Sequence, residues 1–290
     1  MSMKKNLAAL PAALLGLALI FGAAGCGDGK SASEPPALGT TMRGIARSAA
    51  SLPRGMVTDG CLVTFDEGDL AGRLPPAQPV RLITRGNPDL KRVALTIDDG
   101  WNADMRILDL LKRSKIKFTA FLIGGRGVAE SNPEFVKRIQ DSGGEVCSHT
   151  YTHYVMRGKD KPTVLDEIWR SQEIITRVTH EIYPYIRFSG GAYDENSLNW
   201  AAEQGYWVVN WTISDNDTAN GVTPDGQVNA VLANLQPGGI ILCHFGGHNT
   251  YEVLSRVIPE IQKRGYEVTS LTRVLEGTPF VLKPSPTAGE

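Results

Sequence analysis

The sequence predicts an α/β fold in which a parallel sheet curls into a distorted, incomplete (β/α)7 barrel. Three observations lead there. From Arg92 onward, short apolar runs alternate with longer segments of helical period, and this alternation implies parallel strands joined by helical crossovers. Seven such units fit within residues 86–276, which suits a nearly closed barrel better than a short doubly wound sheet. The residues with the most chemical character fall just after the strands, where barrels of this kind build their sites.

The strand candidates are residues 93–97, 118–123, 145–148, 185–188, 206–211, 240–244 and 266–270, with a short run at 80–83 leading in. Each is short, apolar and followed by polar or glycine-rich sequence, as strands of a two-sided sheet should be. Helices are expected between them. In 103–114, Ile107, Leu108 and Leu111 share one face. Asn132 and Pro133 supply a cap and first turn for 133–141, which stops at Gly143-Gly144. Residues 164–180 place Leu165, Ile168, Trp169 and Ile175 on related faces. Three more candidates end on helix stops: 195–204 at Gly205, 227–235 before Pro237-Gly238, and 251–264 at Gly265.

Ahead of this rhythm the character changes. Lys4 and Lys5 precede an apolar run that ends in Ala23-Ala24-Gly25-Cys26. A basic start, a short apolar run and small residues at its end read as a secretory signal over 1–25. The run is broken by Pro11 and too short for a membrane span of ~20 residues. Cys26 directly after Ala-Ala-Gly resembles the lipobox of bacterial lipoproteins, although Ala23 stands where that motif usually has leucine. It implies lipidation of Cys26, export, and anchoring to a membrane of the cell envelope. Residues 26–85, rich in Gly, Ser, Pro and Ala, read as a tether and irregular extension, and 277–290 as a tail.

Composition narrows the partners. With 42% hydrophobic and 21% charged residues the chain has an ordinary globular make-up, and a net charge of -1 offers no basic surface for nucleic acid. Besides Cys26 there are Cys61, Cys147 and Cys243. None lies in a Cys-x-x-Cys pair, which argues against a thiolate metal site or a redox motif. Cys147 and Cys243 read as buried strand thiols.

The chemistry gathers at one rim. Asp98 and Asp99 close the first main strand, His149 and His153 follow the third, Arg187 closes the fourth, Asp215 and Asp217 come after the fifth, and His244 closes the sixth. Three of the five histidines are therefore at the same level of the barrel. Two histidines four apart can bind one ion, from a helix face or a tight loop. With one carboxylate they leave open positions for water and substrate, as a catalytic metal requires. Adjacent carboxylates repel, so both ionise readily only beside a cation. On its own, Asp98-Asp99-Gly100 also reads as a plain Asp-Gly turn.

In order, Thr96-Ile97-Asp98-Asp99-Gly100, His149-Thr150-Tyr151-Thr152-His153, Arg187 with Gly190-Gly191, Trp211 with Asp217, and Leu242-Cys243-His244 resemble the five motifs of polysaccharide deacetylases of the NodB-homology type, carbohydrate esterase family four. The resemblance spans residues 86–276 and implies that family's barrel. It implies a divalent metal, most often zinc and sometimes cobalt, held by Asp99, His149 and His153. Asp98 would be the general base, Arg187 its holder, His244 the general acid and Asp217 the residue that tunes it. The backbone N–H of Gly190 would help stabilise the oxyanion. Trp101 and Trp211 would wall the site or stack on a sugar. The substrate implied is an acetylated glycan, peptidoglycan or chitin-like.

Amide hydrolysis asks for the same parts on chemical grounds: a nucleophile made from water at neutral pH, positive charge at the oxyanion, and an acid for the departing amine. The chain departs from the family at Ser189 and Gly190, where proline and tyrosine are usual, and at Thr218, where tryptophan is usual. These departures keep two other readings open, an O-acetyl esterase of the xylan type and a glycan-binding lipoprotein with weakened catalysis. An iron oxygenase shares the two-histidine, one-carboxylate set, but the βα rhythm and paired aspartates argue against it. His180 reads as a surface residue and His248 as a loop group near His244.

Overall fold

Strand β2, Arg92–Asp99, is the axis of the sheet, and its residues from Val93 to Asp98 are all buried. A strand covered on both faces needs a continuous apolar run, which Val93-Ala94-Leu95 and Ile97 supply. The computed structural model describes residues 82–278. The signal, Cys26, Cys61, most of the tether and all but the first two residues of the tail lie outside the described residues.

Within them β1 (Leu82–Ile83) precedes β2; α1 (Met105–Arg113), β3 (Phe118–Leu122), α2 (Pro133–Asp141), β4 (Gly144–Ser148) and α3 (Lys161–Thr179) follow. Then come β5 (Tyr185–Ile186), α4 (Glu195–Glu203), β6 (Trp207–Val209), β7 (Ile213–Ser214), α5 (Pro224–Ala233), β8 (Gly239–Phe245), α6 (Thr250–Lys263), β9 (Glu267–Thr269) and α7 (Leu271–Val274). The strand order is β1-β6-β5-β4-β3-β2-β8-β7, with β9 beside the start of β2, and every pairing is parallel. Among the described residues β1 and β7, at the two ends of the order, do not pair with each other, so the barrel is incomplete. Among the described residues no helix is long and apolar enough to cross a membrane.

The seven predicted strands are all present, and the lead-in run supplies β1. β7 has no counterpart in the prediction because two residues carry no periodicity. The same holds for the single turn of α7. Arg187 sits just past β5 rather than inside it, and a 3₁₀ turn at Ser189–Gly191 follows. Helix α5 begins earlier than expected because Thr223 caps it through the Gly226 N–H and Pro224 opens its first turn. Helix α2 has its predicted bounds, with the Asn132 side chain accepting from Phe135 N at 3.1 Å.

Helix α3 differs in an instructive way. Leu165 and Trp169 are only half-buried, whereas Glu167, Ser171 and Gln172 are buried. Glu167 accepts from the backbone of the 149–153 loop, Ser171 meets Ser148 Oγ and Gln172 donates to Thr176 on its own helix, so this face of α3 does not read as apolar. The largest apolar cluster packs α1, α2 and α6 against β2, β3 and β8, with Leu108, Leu111, Val136, Ile139 and Ile261 fully buried. Such side chains contribute roughly 1.5–3 kcal/mol each. This core holds β2 and β8 rigidly side by side, Asp98 level with His244.

Candidate active site

Adjacent residues of a strand point to opposite faces, yet Asp98 and Asp99 serve one site. The backbone explains it. Asp99 takes a left-handed conformation (φ 72°) as β2 ends, and Gly100 continues at φ 98°. The turn brings Asp99 Oδ1 to 3.4 Å from His149 Nε2, while Asp98 Oδ2 lies 3.7 Å from the same nitrogen.

The histidines come from a tight loop rather than a helix. Thr150 and His153 are both left-handed, with φ 67° and 60°. Such conformations cost a non-glycine residue of order 1–3 kcal/mol and persist only where the surroundings enforce them. Here Glu167 on α3 does so, accepting from Tyr151 N at 2.9 Å, Thr152 N at 2.8 Å and Thr152 Oγ1 at 2.5 Å. Ser148 Oγ accepts from Thr150 N and donates to Ser171 Oγ of the same helix. Ser189 Oγ reaches Thr150 Oγ1 at 3.2 Å, so one departure from the family pattern helps to hold the loop.

Asp99, His149 and His153 offer ligand atoms that all lie within 4.8 Å of one another. His149 Nδ1 stands 2.8 Å from the Arg187 carbonyl oxygen. A carbonyl only accepts, so Nδ1 carries the proton and Nε2 presents its lone pair to the site. Asp99 Oδ1 is buried without a hydrogen bond, although His153 Nε2 is only 3.2 Å away. A buried oxygen left bare beside two imidazole nitrogens is the donor set a divalent cation takes. These three residues fit a metal.

Asp98 is 2% exposed and Arg187 0%. Arg187 Nη1 donates to Asp98 Oδ1 at 2.6 Å and to Thr96 Oγ1 at 2.9 Å, Nε to Val209 O at 3.0 Å and Nη2 to Asn210 O at 3.3 Å. Its guanidinium lies 4.3 Å from the Phe121 ring centroid and 5.6 Å from that of Trp211. A buried charge is tolerable only when paired and hydrogen-bonded, and this arginine meets the condition with four bonds, one of them within the ion pair. It holds the Asp98 carboxylate in one orientation.

On β8, His244 Nδ1 lies 2.6 Å from Asp217 Oδ1. Asp217 Oδ2 accepts from His244 N at 2.7 Å and from Thr250 Oγ1 at 3.2 Å. Burial would lower the His244 pKa, but the Asp217 bond and the nearby Asp98 and Asp99 outweigh it and push the imidazole up to about 9. Asp215 makes no bond to His244; its Oδ1 accepts from Asp217 N. Burial, then repulsion from Asp217, push its carboxyl up to about 8. The two aspartates thus differ sharply.

Among the remaining residues singled out in the sequence, Trp101 is 50% exposed with its ring edge-on to His153 at 6.1 Å. Trp211 is half-buried against the Ser189–Gly191 turn, where a Cβ on Gly191 would stand 2.8 Å from its ring. Gly190 is exposed at φ 63°. His180 is exposed on the C-cap of α3, His248 is exposed with its backbone N–H donating to Asp217 O at 2.8 Å, and Cys147 and Cys243 are buried free thiols.

Residues 85–209 match the family described as Polysaccharide deacetylase. A peptidoglycan-N-acetylglucosamine deacetylase of Bacillus cereus is 35% identical over 190 residues, covering 63% of this chain and 68% of the relative. A chitooligosaccharide deacetylase of Sinorhizobium fredii is 30% identical over 209 residues, covering 66% and 95%. The chain belongs to the polysaccharide deacetylase family.

Solved structures agree with a deacetylase-family barrel. A CE4 family pseudoenzyme from Bacillus anthracis superposes with a TM-score of 0.65 at 28% identity, covering 69% of this chain and 71% of that one. A peptidoglycan N-acetylglucosamine deacetylase bound to a hydroxamate-type compound gives 0.63 at 33%, covering 67% and 92%. Within this polysaccharide deacetylase the sequence left four supporting residues unassigned: Thr96, Glu167, Gly247 and Thr250. Glu167 carries no local signal, since a glutamate on a helix usually faces water. Gly247 could have been suspected from Gly246-Gly247 so soon after His244. A Cβ there would stand 2.0 Å from Asp217 Oδ2, so only glycine lets Asp217 approach.

Proposed function

We propose that this polysaccharide deacetylase removes N-acetyl groups from a peptidoglycan or chitin-like glycan, using a divalent cation, zinc or cobalt, held by Asp99, His149 and His153. Such a cation, when bound, lowers the pKa of water towards ~7 and supplies positive charge for the acyl oxygen. Asp98 takes the proton from the attacking water, and Arg187 keeps its carboxylate paired and aimed. His244 enters as imidazolium and gives its proton to the departing amine nitrogen, with Asp217 steadying the charge at Nδ1. The Gly190 N–H adds a donor at the oxyanion, and Trp101 and Trp211 flank the sugar.

What supports the reading most directly is the division of labour. A charge-paired base and an aspartate-held imidazole stand on neighbouring strands, Asp98 opposite His244, beside the three ligand residues. The test is acetate release from N-acetylglucosamine oligomers before and after chelation, with zinc added back. Turnover that survives chelation overturns the reading. An ester-cleaving variant of the same reading predicts that His244→Ala harms acetylxylan hydrolysis far less than amide hydrolysis, because an alcohol leaves more easily. The likeness to a pseudoenzyme favours a further alternative, sugar binding with no acetate release from metal-loaded protein.

We also propose export and membrane anchoring in the cell envelope through a lipid on Cys26, with the catalytic domain on the periplasmic or cell-surface side. Mass spectrometry of the mature N-terminus tests this, and Cys26→Ala should move the protein to the soluble fraction.

A further inference from the structure

Arg126 lies in the loop after β3, in the left-handed conformation (φ 53°), and is exposed. Its Cζ is 6.0 Å from the Trp101 ring centroid and 5.5 Å from that of Tyr154. Both rings are strongly exposed, Trp101 at 50% and Tyr154 at 57%, and Val155 beside them at 49%. Large apolar side chains grouped at the surface mark a binding face. This group adjoins the ligand residues directly: Trp101 meets the His153 ring, and Arg126 Nη1 donates to the carbonyl of Thr152 at 3.1 Å.

The charge is what makes the arrangement selective. Arg92, Arg106, Arg138 and Arg187 each face a carboxylate, whereas Arg126 forms no ion pair among the described residues. Apart from the bond to Thr152, its guanidinium makes no hydrogen bond with them. Contact with aromatic rings leaves a guanidinium's in-plane N–H groups available, and that fork matches a carboxylate in two-point contact. An indole and a phenol close by offer the flat apolar surfaces against which a sugar face packs.

We infer that Arg126, framed by Trp101 and Tyr154, is a subsite for a carboxylate carried by the glycan beside the sugar being deacetylated. Anionic acetylated glycans are then preferred over neutral chitin-like chains. The inference rests on the deacetylase reading for the identity of the neighbouring site. The carboxylate could belong to an ether substituent on the sugar itself or to an attached peptide, and both present the same group to the arginine.

The test is calorimetric binding to the full chain supplemented with zinc, using four probes: chitotetraose, a peptide-free peptidoglycan tetrasaccharide, that tetrasaccharide with its carboxylates esterified, and the same tetrasaccharide with peptide stems. The wild type should bind the peptide-free anionic tetrasaccharide about five- to tenfold more tightly than chitotetraose or the ester. Arg126→Gln should erase that ratio and Arg126→Lys retain part of it. A preference confined to the stem-bearing probe assigns the carboxylate to the peptide. The inference is overturned if the wild type shows no preference, or if Arg126→Gln weakens all four probes by one factor, which is what a merely structural hold on Thr152 would do. Acetate release from the same samples separates the two readings. Preferential binding without release overturns the deacetylase reading and leaves this one standing.

Discussion

Asp98 and Asp99 present their carboxylates to one atom, His149 Nε2, at 3.7 and 3.4 Å, although neighbours on a strand should diverge. The left-handed turn at Asp99 creates the convergence, and Arg187 separates the two by claiming Asp98. Asp98→Asn should therefore keep the metal and lower kcat roughly 10²- to 10⁴-fold. Asp99→Asn should lose the metal itself. Metal content by elemental mass spectrometry, beside kcat, checks the split, and equal metal loss in both variants would contradict it.

His244 gains its raised pKa of about 9 chiefly from the bond to Asp217, against the effect of burial. An imidazolium acid is lost as pH rises through its pKa, so kcat should fall above about pH 9. Asp217→Asn should draw that limb down towards the ordinary value of 6.5. Stability follows the same sign. The contribution from charged His244 is complete below pH 6.5 and disappears as pH rises through about 9. A pH–rate profile of the two proteins, with melting curves, tests both statements.

Asp215 shifts stability in the same direction, but as an uncharged acid rather than a paired cation. Its carboxyl, pushed up to about 8 by burial and by Asp217, holds a proton in the folded state that the unfolded chain has released above the ordinary value of 3.8. Stability from this residue declines with pH from 3.8 to about 8. Asp215→Asn, which mimics the protonated form, should raise Tm at pH 8 and leave it nearly unchanged at pH 4. A variant that melts lower at pH 8 would show that Asp215 is ionised there.

The histidine loop depends on Glu167, which accepts three hydrogen bonds from Tyr151 and Thr152. Glu167→Ala should weaken metal affinity by roughly 10- to 100-fold, the usual cost of losing support behind metal ligands. Chelator competition measures it. Glu167→Gln, which keeps one acceptor, should fall between, while circular dichroism reports an intact fold.

Gly247→Ala should reach the acid without touching it. The added methyl would stand 2.0 Å from Asp217 Oδ2, so Asp217 must withdraw from His244. A displacement of this size costs on the order of 10² in kcat. KM should move much less.

The regular part of the fold was legible because each strand and helix repeats a physical signal. Ile107, Leu108 and Leu111 share a face in the sequence and are buried together, and Asn132-Pro133 opens a helix in both. β7 and α7 escaped because one or two residues cannot show a period. Strand-end logic gathered Asp98, Asp99, His149, His153, Arg187 and His244 at one rim before any geometry was known. Glu167, Gly247 and Thr250 could not be gathered that way. They act through hydrogen bonds or through space left empty, and neither leaves a periodic trace in a chain.

The pairing of β2 has a consequence for how the protein comes apart. β8 flanks it from Val93 to Asp99, while β9 and then β3 cover its other edge from Arg92 to Ala94 and from Thr96 to Asp99. Amide protons along Ala94–Ile97 should accordingly exchange with deuterium only through global unfolding. The loop carrying His149 and His153 lies beyond the regular strand pairing and is held by a few bonds, Gly124 N to Thr150 O, Gly125 N to Tyr151 O and the Glu167 carboxylate, so it opens in smaller excursions. Under mild stress a cation held by Asp99, His149 and His153 would leave first, while the strand bearing both carboxylates stays folded and ready to recapture one.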